Sequence, residues 1–424
     1  MSDYRQFVLD NGLRVMLRRT PTETLAGRVR VHCGALRDPE GKHGLVHLLE
    51  HALIYAGTRS LTPQQSTALV NGSRNMPVAT YSDSMQFGFQ SFPEDVADIL
   101  NVYADMIFHP RFDADAIDAE RKRVVREIGE TREELRMDDK KYEELLMRNY
   151  PQRISSHRVR VSGDVDVVRS TSVEELRQLH AHYFNATNAD IVLVGSLPEN
   201  IEELLRTHFG DKPAGALHQY AWPSIEPLDN ATGFRVAAPY LTNRENPDES
   251  NTHVKIGFIA PSYTAAEAPA FIVLNQILGG RGGRLQDSLS QVHGLAYFAK
   301  SFHNPMPSAQ YCEIEARVAD RTKKEAVDLV FDITERLRTE DVSQEELAAA
   351  RSISRLSFAL QLECNQMSVH ALELKLDYYE LSVAHLLASV QRVTPADVRA
   401  VAHKYLPRGG DGNYVLMVRE PAEN

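Results

Sequence analysis

Strand-like and helix-like segments alternate along the chain, and they do so twice. In the first half, residues 7–19 (FVLDNGLRVMLRR) and 26–36 (AGRVRVHCGAL) are rich in β-type residues, and Asn11-Gly12 marks a hairpin turn. The loop at 37–44 (RDPEGKHG) leads into a helix predicted from Leu45 to about Ala56 and stopped by Gly57. Further strands are predicted within 78–92, helices at 93–108, 113–135 and 171–184, and a closing strand at 189–197. The second half repeats this order. It offers a strand at 253–262, a helix at 267–280 ending in glycine, and strands at 295–302 and 311–319. Helices at 323–337, 343–363 and 394–406 and a closing strand at 413–420 follow.

Ser172, Leu176 and Tyr183 match Thr394, Val398 and Tyr405 at a constant offset of 222 residues, and Gly57 matches Gly279 at the same offset. An ordered match of this length predicts an internal duplication. The expected fold class is α+β, with two duplicated domains, each a mostly antiparallel sheet packed with helices. The expected boundaries are 1–215, a linker at 216–232 in a stretch rich in Pro, Gly and Ala, and 233–424. A length of 424 residues agrees, because one hydrophobic core rarely grows that large.

Composition narrows the setting. Hydrophobic residues at 43% and charged residues at 25% are ordinary for a globular protein. A net charge of -11 argues against nucleic-acid and anionic-membrane partners. No run of 18 apolar residues exists, so no transmembrane helix is expected. The opening residues lack the basic-then-apolar pattern of a secretory signal. Cys33, Cys312 and Cys364 are scattered, form no CxxC, and read as thiols of a reducing compartment. The expected location is cytoplasmic.

One stretch departs from simple packing. Residues 46–58 (VHLLEHALIYAGT) set His47, Glu50 and His51 inside an apolar helix. Positions i and i+4 share a helix face, so His47 and His51 could chelate one ion. Glu50 flanks that face and could take the proton of a water. The H-x-x-E-H order is the inverzincin pattern. The offset of 222 sets Pro269, Ile272 and Val273 opposite the three polar residues, so the fold does not need them. The competing readings are two satisfied histidines on a buried helix, or a His43/His47 pair, which has no matching glutamate and starts in a Gly-flanked loop. Catalytic zinc usually takes three protein ligands, so a third must come from elsewhere. The helix at 113–135 offers Glu120 and Glu127, about two turns apart on one face. Its copy carries Ala350 and Ser357 there. Taken alone, the two carboxylates read as a solvated face laced with pairs such as Arg123/Glu127.

Together these residues resemble the pitrilysin-type inverzincin peptidases, in the short two-domain branch that includes the mitochondrial processing peptidase subunits and bacterial relatives. The resemblance spans nearly the whole chain, through VLDNGLRVML, GLVHLLEHALIYAGT, ERKRVVREIGE and GGRGGRLQDSLSQVHGLAYFAKSF. It implies one Zn2+ per chain held by His47, His51 and Glu127, which lies 76 residues beyond His51. It implies Glu50 as general base and Glu120 as the carboxylate that orients a ligand. The implied reaction is hydrolysis of peptides or unfolded segments within a clamshell chamber built from four such domains.

Two positions depart from the family pattern. Members with a complete site carry an Arg and a Tyr seven residues apart in the C-terminal segment. Tyr297 fills the tyrosine place, a substrate contact that could serve the partner's site, but Ser290 stands where arginine is expected, and Arg284 matches a different arginine. Pro77 stands at an asparagine place, with Asn75 nearby, and removes an N–H that could pair with a peptide. The expectation is a zinc-bearing subunit of a heterodimer whose homologous partner supplies the Arg/Tyr pair. A homodimer of reduced activity, a catalytically silent core subunit and a small-molecule metal hydrolase are the alternatives. Plainer readings fall on the charge runs of 132–144 as a solvated helix face, on His180 and His182 as structural, and on the glycines of 279–283 as a mobile connection.

Overall fold

The computed structural model describes residues 4–72, 78–134, 137–146, 148, 161–220, 232–237, 251–304, 310–377, 383–410 and 412–420. The chain forms two compact units. The first gathers Met1–Arg136, Gln152–Ala221 and Gln361–Tyr379, and the second gathers Met137–Pro151, Trp222–Leu360 and Glu380–Asn424. The passage at Ala221/Trp222 falls inside the expected linker, but each unit also takes one segment from the other half of the sequence.

The first unit is built on a six-stranded sheet in the order β1-β2-β6-β3-β5-β4. Its strands are β1 (Tyr4–Val8), β2 (Arg14–Arg19), β3 (Leu25–Val31), β4 (Val78–Thr80), β5 (Met85–Ser91) and β6 (Ala189–Gly195). Only β2 and β6 run parallel. Its helices are α1 (Leu45–Tyr55), α2 (Pro63–Gly72), α3 (Val96–Phe108) and α4 (Ala114–Glu134). In the second unit lies α5 (Met137–Leu146), and α6 (Val165–Ser170), α7 (Val173–Tyr183) and α8 (Ile201–Phe209) return to the first.

The second unit has a five-stranded sheet in the order β7-β11-β8-β10-β9. Its strands are β7 (Thr232–Ala237), β8 (Asn251–Ile259), β9 (Ala296–Asn304), β10 (Tyr311–Ala319) and β11 (Val415–Glu420). The helices of the second half are α9 (Ala268–Gly279), α10 (Lys323–Thr339), α11 (Gln344–Glu363), α12 (Asn365–Asp377), α13 (Val383–Arg392) and α14 (Pro395–Tyr405). Strands β7 to β11 repeat the order and the pairing senses of β2 to β6, including the one parallel pair. The two α+β halves are therefore copies in topology as well as in sequence.

Local rules explain the shared elements. Helices α7 and α14 both begin with a reciprocal cap. Ser172 Oγ accepts from Glu175 N while Glu175 accepts from Ser172 N, and Thr394 and Asp397 do the same. Such boxes satisfy two orphan N–H groups at once. Leu48, Leu49 and Leu53 of α1 join Val29, Phe87, Phe89, Ile191 and Leu193 in one core. Each fully buried side chain of this kind contributes about 1.5–3 kcal/mol.

The opposite face of the first sheet is covered by α12, whose Val369 and Leu372 pack on Met16, Ala26, Val192 and Val194. Arg28 pairs there with Glu373. In the second unit α5 covers the corresponding face of its own sheet. Tyr142 sits over Gly257, where an added Cβ would lie 2.3 Å from its Oη. Within the charge run, Lys141 and Glu144 are exposed as expected, while Tyr142 between them is buried. Among the described residues no helix is long and apolar enough to cross a membrane.

Candidate metal centre

Helix α1 is anchored at its start by a side chain that the sequence did not single out. Asp38 accepts from Gly44 N at 2.7 Å and from Val46 N at 2.8 Å. Burial pushes its carboxyl up to about 7, against the backbone N–H groups that pull it down. Gly44 and Gly163 cross here with positive φ, and a Cβ on Gly163 would lie 2.4 Å from Gly44 Cα. At the other end Gly57 takes φ 76 and stops the helix, as its sequence position predicts. Every residue from Leu45 to Ile54 is buried, the polar trio included.

His47, Glu50 and His51 are each 7% exposed. Polar groups this deep cost free energy unless they are partnered. His47 Nδ1–H donates to Ser162 O at 2.9 Å, and His51 Nδ1–H donates to Glu120 Oε2 at 2.9 Å. A carbonyl and a carboxylate only accept, so both Nδ1 atoms carry hydrogen and both Nε2 atoms are left to face the centre. Glu127 closes it. Its two oxygens stand 3.6 Å from His47 Nε2 and 3.5 Å from His51 Nε2. Ligand atoms of all three residues lie within 4.8 Å of one another. Donors about 2.0–2.1 Å from a tetrahedral Zn2+ stand roughly 3.4 Å apart, so the spacing and the N/N/O donor set fit such an ion. Glu127 has 47% of its side chain exposed, which leaves one side of the centre open.

The charges are mutually tuned. Burial raises the Glu50 carboxyl above its ordinary range, while the hydroxyl and amide of Thr80 on β4 and the two imidazoles pull it down. Burial alone would lower His51, but Glu120 and Glu127 outweigh it and hold the imidazole up to about 9. His51 in turn draws Glu127 below the usual carboxylate range.

Helix α4 carries both glutamates. Arg123 meets Glu120 at 3.3 Å, not the Glu127 that i,i+4 spacing suggested. His180 is structural, with Nε2–H donating to Ile107 O at 2.8 Å and burial lowering its pKa to about 4. His43 is not part of the donor cluster. In the second unit Arg284 forks onto Glu346 with two contacts of 2.8 Å, which occupies it elsewhere. Ser290 lies in a π-helical turn, Asp287–Val292. Tyr297 lies on the edge strand β9, 88% exposed. Pro77 and Asn75 fall outside the described residues.

The copy of α1 carries no ligating side chain at the corresponding positions. Pro269, Ile272 and Val273 sit in α9, where Val273 belongs to the second core and Ile272 packs against it. A duplicated α+β fold with one donor-bearing half is the class that fold and centre define. Comparison with known proteins agrees. Residues 14–158 match the family model described as "Insulinase (Peptidase family M16)", and residues 170–354 match "Peptidase M16 inactive domain". The chain belongs to peptidase family M16.

An uncharacterized zinc protease of Streptomyces coelicolor is 23% identical over 411 residues, covering 95% of this chain and 87% of that protein. The mitochondrial-processing peptidase subunit beta of Mus musculus is 22% identical over 412 residues, covering 94% of this chain and 81% of that one. A solved structure from Pseudomonas fluorescens, titled as a peptidase M16 inactive domain, superposes with TM-score 0.77 at 20% identity. It covers 100% of both chains.

Proposed function

We propose that this chain is a zinc-dependent endopeptidase for peptides or unfolded segments, acting with a homologous partner subunit. The observation that carries the reading is the convergence of His47, His51 and Glu127 within 4.8 Å, with Glu50 buried on the same helix. A divalent ion held by these three residues supplies Lewis acidity to a water and to a scissile carbonyl. Glu50 receives the proton of the attacking water. The same carboxyl then passes that proton on to the departing amine nitrogen. Glu120 keeps His51 in the tautomer whose Nε2 faces the centre.

The reading of a silent core subunit draws on the match to an inactive domain. That match covers residues 170–354, whereas the donors lie at residues 47–127 within the other match. A partner is supported by Ser290 at the arginine place and by a relative named as a subunit. A cytoplasmic setting belongs to the same reading and rests on three free cysteines, two of them buried. The test is Glu50→Gln on metal-loaded protein. Cleavage of an unstructured peptide is expected to fall by about 100-fold or more while one zinc per chain is retained. Unchanged cleavage would overturn the mechanism.

A further inference from the structure

The two imidazoles of the centre are held by unequal supports. His47 donates to a main-chain carbonyl, Ser162 O, whose position the backbone fixes. His51 donates to Glu120, a side chain that must itself be held. Arg123 lies one helical turn beyond Glu120 on α4, and its Nη1 reaches Glu120 Oε1 at 3.4 Å and Oε2 at 3.3 Å. The same guanidinium lies 4.8 Å over the ring of Tyr55, the last residue of α1. Tyr55 in turn stands 5.8 Å from the His51 ring. Tyr55, Arg123, Glu120 and His51 thus form a closed ring of contacts that ties α4 to α1 beside the donors.

We infer that Arg123, stacked on Tyr55, is a positioning residue that holds Glu120 in place to orient His51 toward the metal. The inference rests on the proposed metal-binding role of His47, His51 and Glu127. A plainer account makes Arg123/Glu120 an i,i+3 surface pair, since the arginine side chain is 46% exposed. Such pairs are worth little to stability, and this separates the two accounts. A surface pair predicts no effect on the ion. A positioning arginine predicts weaker ion binding at nearly unchanged stability, because removal of such outer contacts typically costs 10–100-fold in metal affinity. Lysine is a poor substitute, because an ammonium held at the Glu120 carboxylate has no planar face to lay on the Tyr55 ring.

The test uses the full chain stripped of metal and titrated with Zn2+ against a chromophoric chelator. Visible spectra of the Co2+ form are recorded beside it. Arg123→Ala is expected to weaken Zn2+ binding about tenfold or more and to alter the Co2+ bands. The melting temperature of its metal-free form stays close to that of the parent. Arg123→Lys recovers only part of the affinity, and Tyr55→Phe, which keeps the ring, costs less than Tyr55→Leu. Parental affinity and spectrum in Arg123→Ala overturn the inference, and so does full rescue by lysine. His51→Ala is the control. If it too keeps the ion, the metal-site reading fails. If it alone loses the ion, only the role of Arg123 fails.

Discussion

His51 gives its Nδ1 proton to a carboxylate, so pH acts on the centre through this imidazole. An unfolded histidine titrates near pH 6.5, and Glu120 and Glu127 hold His51 up to about 9. A raised pKa means that this contribution to the stability of the metal-free protein is complete below pH 6.5 and is lost as pH rises through 9. A divalent ion must displace the same proton. Ion titration at pH 7.5 is therefore expected to release close to one proton per ion, and affinity should climb by up to about tenfold per pH unit across that window. Calorimetry in buffers of different ionisation enthalpy measures both, and a pH-independent affinity would contradict the charge assignment. At this scale the sequence and its family resemblance pointed to the donors and to Glu120, but not to Ser162 or Asp38. Asp38 escaped notice because an aspartate in a Gly-rich loop is ordinary until the chain folds its carboxylate back onto the N–H groups of α1.

Among the elements, the entry to α1 is the most constrained. Gly163 has φ 98, touches Gly44 across the crossing, and follows Ser162, which holds His47. Gly163→Ala is expected to lose about 1–3 kcal/mol and to weaken ion binding, because the backbone must shift where His47 is oriented. Gly129 on α4 has nothing within 4 Å of an added Cβ, so Gly129→Ala should gain about 0.5–1 kcal/mol. Chemical denaturation and ion titration of both variants check the pair, and a Gly163→Ala protein as stable as its parent would refute the crossing argument. The elements that sequence reading missed also have a physical signature. The run ADIVLVG of β6 is buried at every position, which requires cover on both faces of the sheet. One face is filled by α1 and its neighbours, and the other by α12, which arrives from the far end of the sequence.

For the whole molecule, the proposed function divides two tasks between the duplicated halves. One half carries the donors and the other carries Ser290 and Tyr297 in place of a complete Arg/Tyr pair. Under the proposed function, the lone chain should bind zinc fully but cleave slowly. Adding a homologue that keeps Arg/Tyr and lacks H-x-x-E-H should raise kcat/KM by about 100-fold, the usual worth of one transition-state donor. Peptide cleavage with and without that homologue decides it, and full activity of the lone chain would leave the heterodimer without support.

What the sequence determined by itself follows from local rules. Periodicity, Asn11-Gly12 and Gly57 act over a few residues, and the 222-residue offset repeats them, so strands, helices and the duplication were legible. His47, Glu50 and His51 were also legible, because one helical turn sets their spacing and an apolar copy exposes them as additions. The resemblance implied roles for Glu120 and Glu127, but only tertiary structure sets them beside the two imidazoles. A glutamate pair on a charged helix looks the same in sequence whether it faces water or two imidazoles. The packing of α4 on α1 distinguishes them, and no short-range rule contains that contact. The same holds for α5 and α12, whose places depend on which sheet face each could bury.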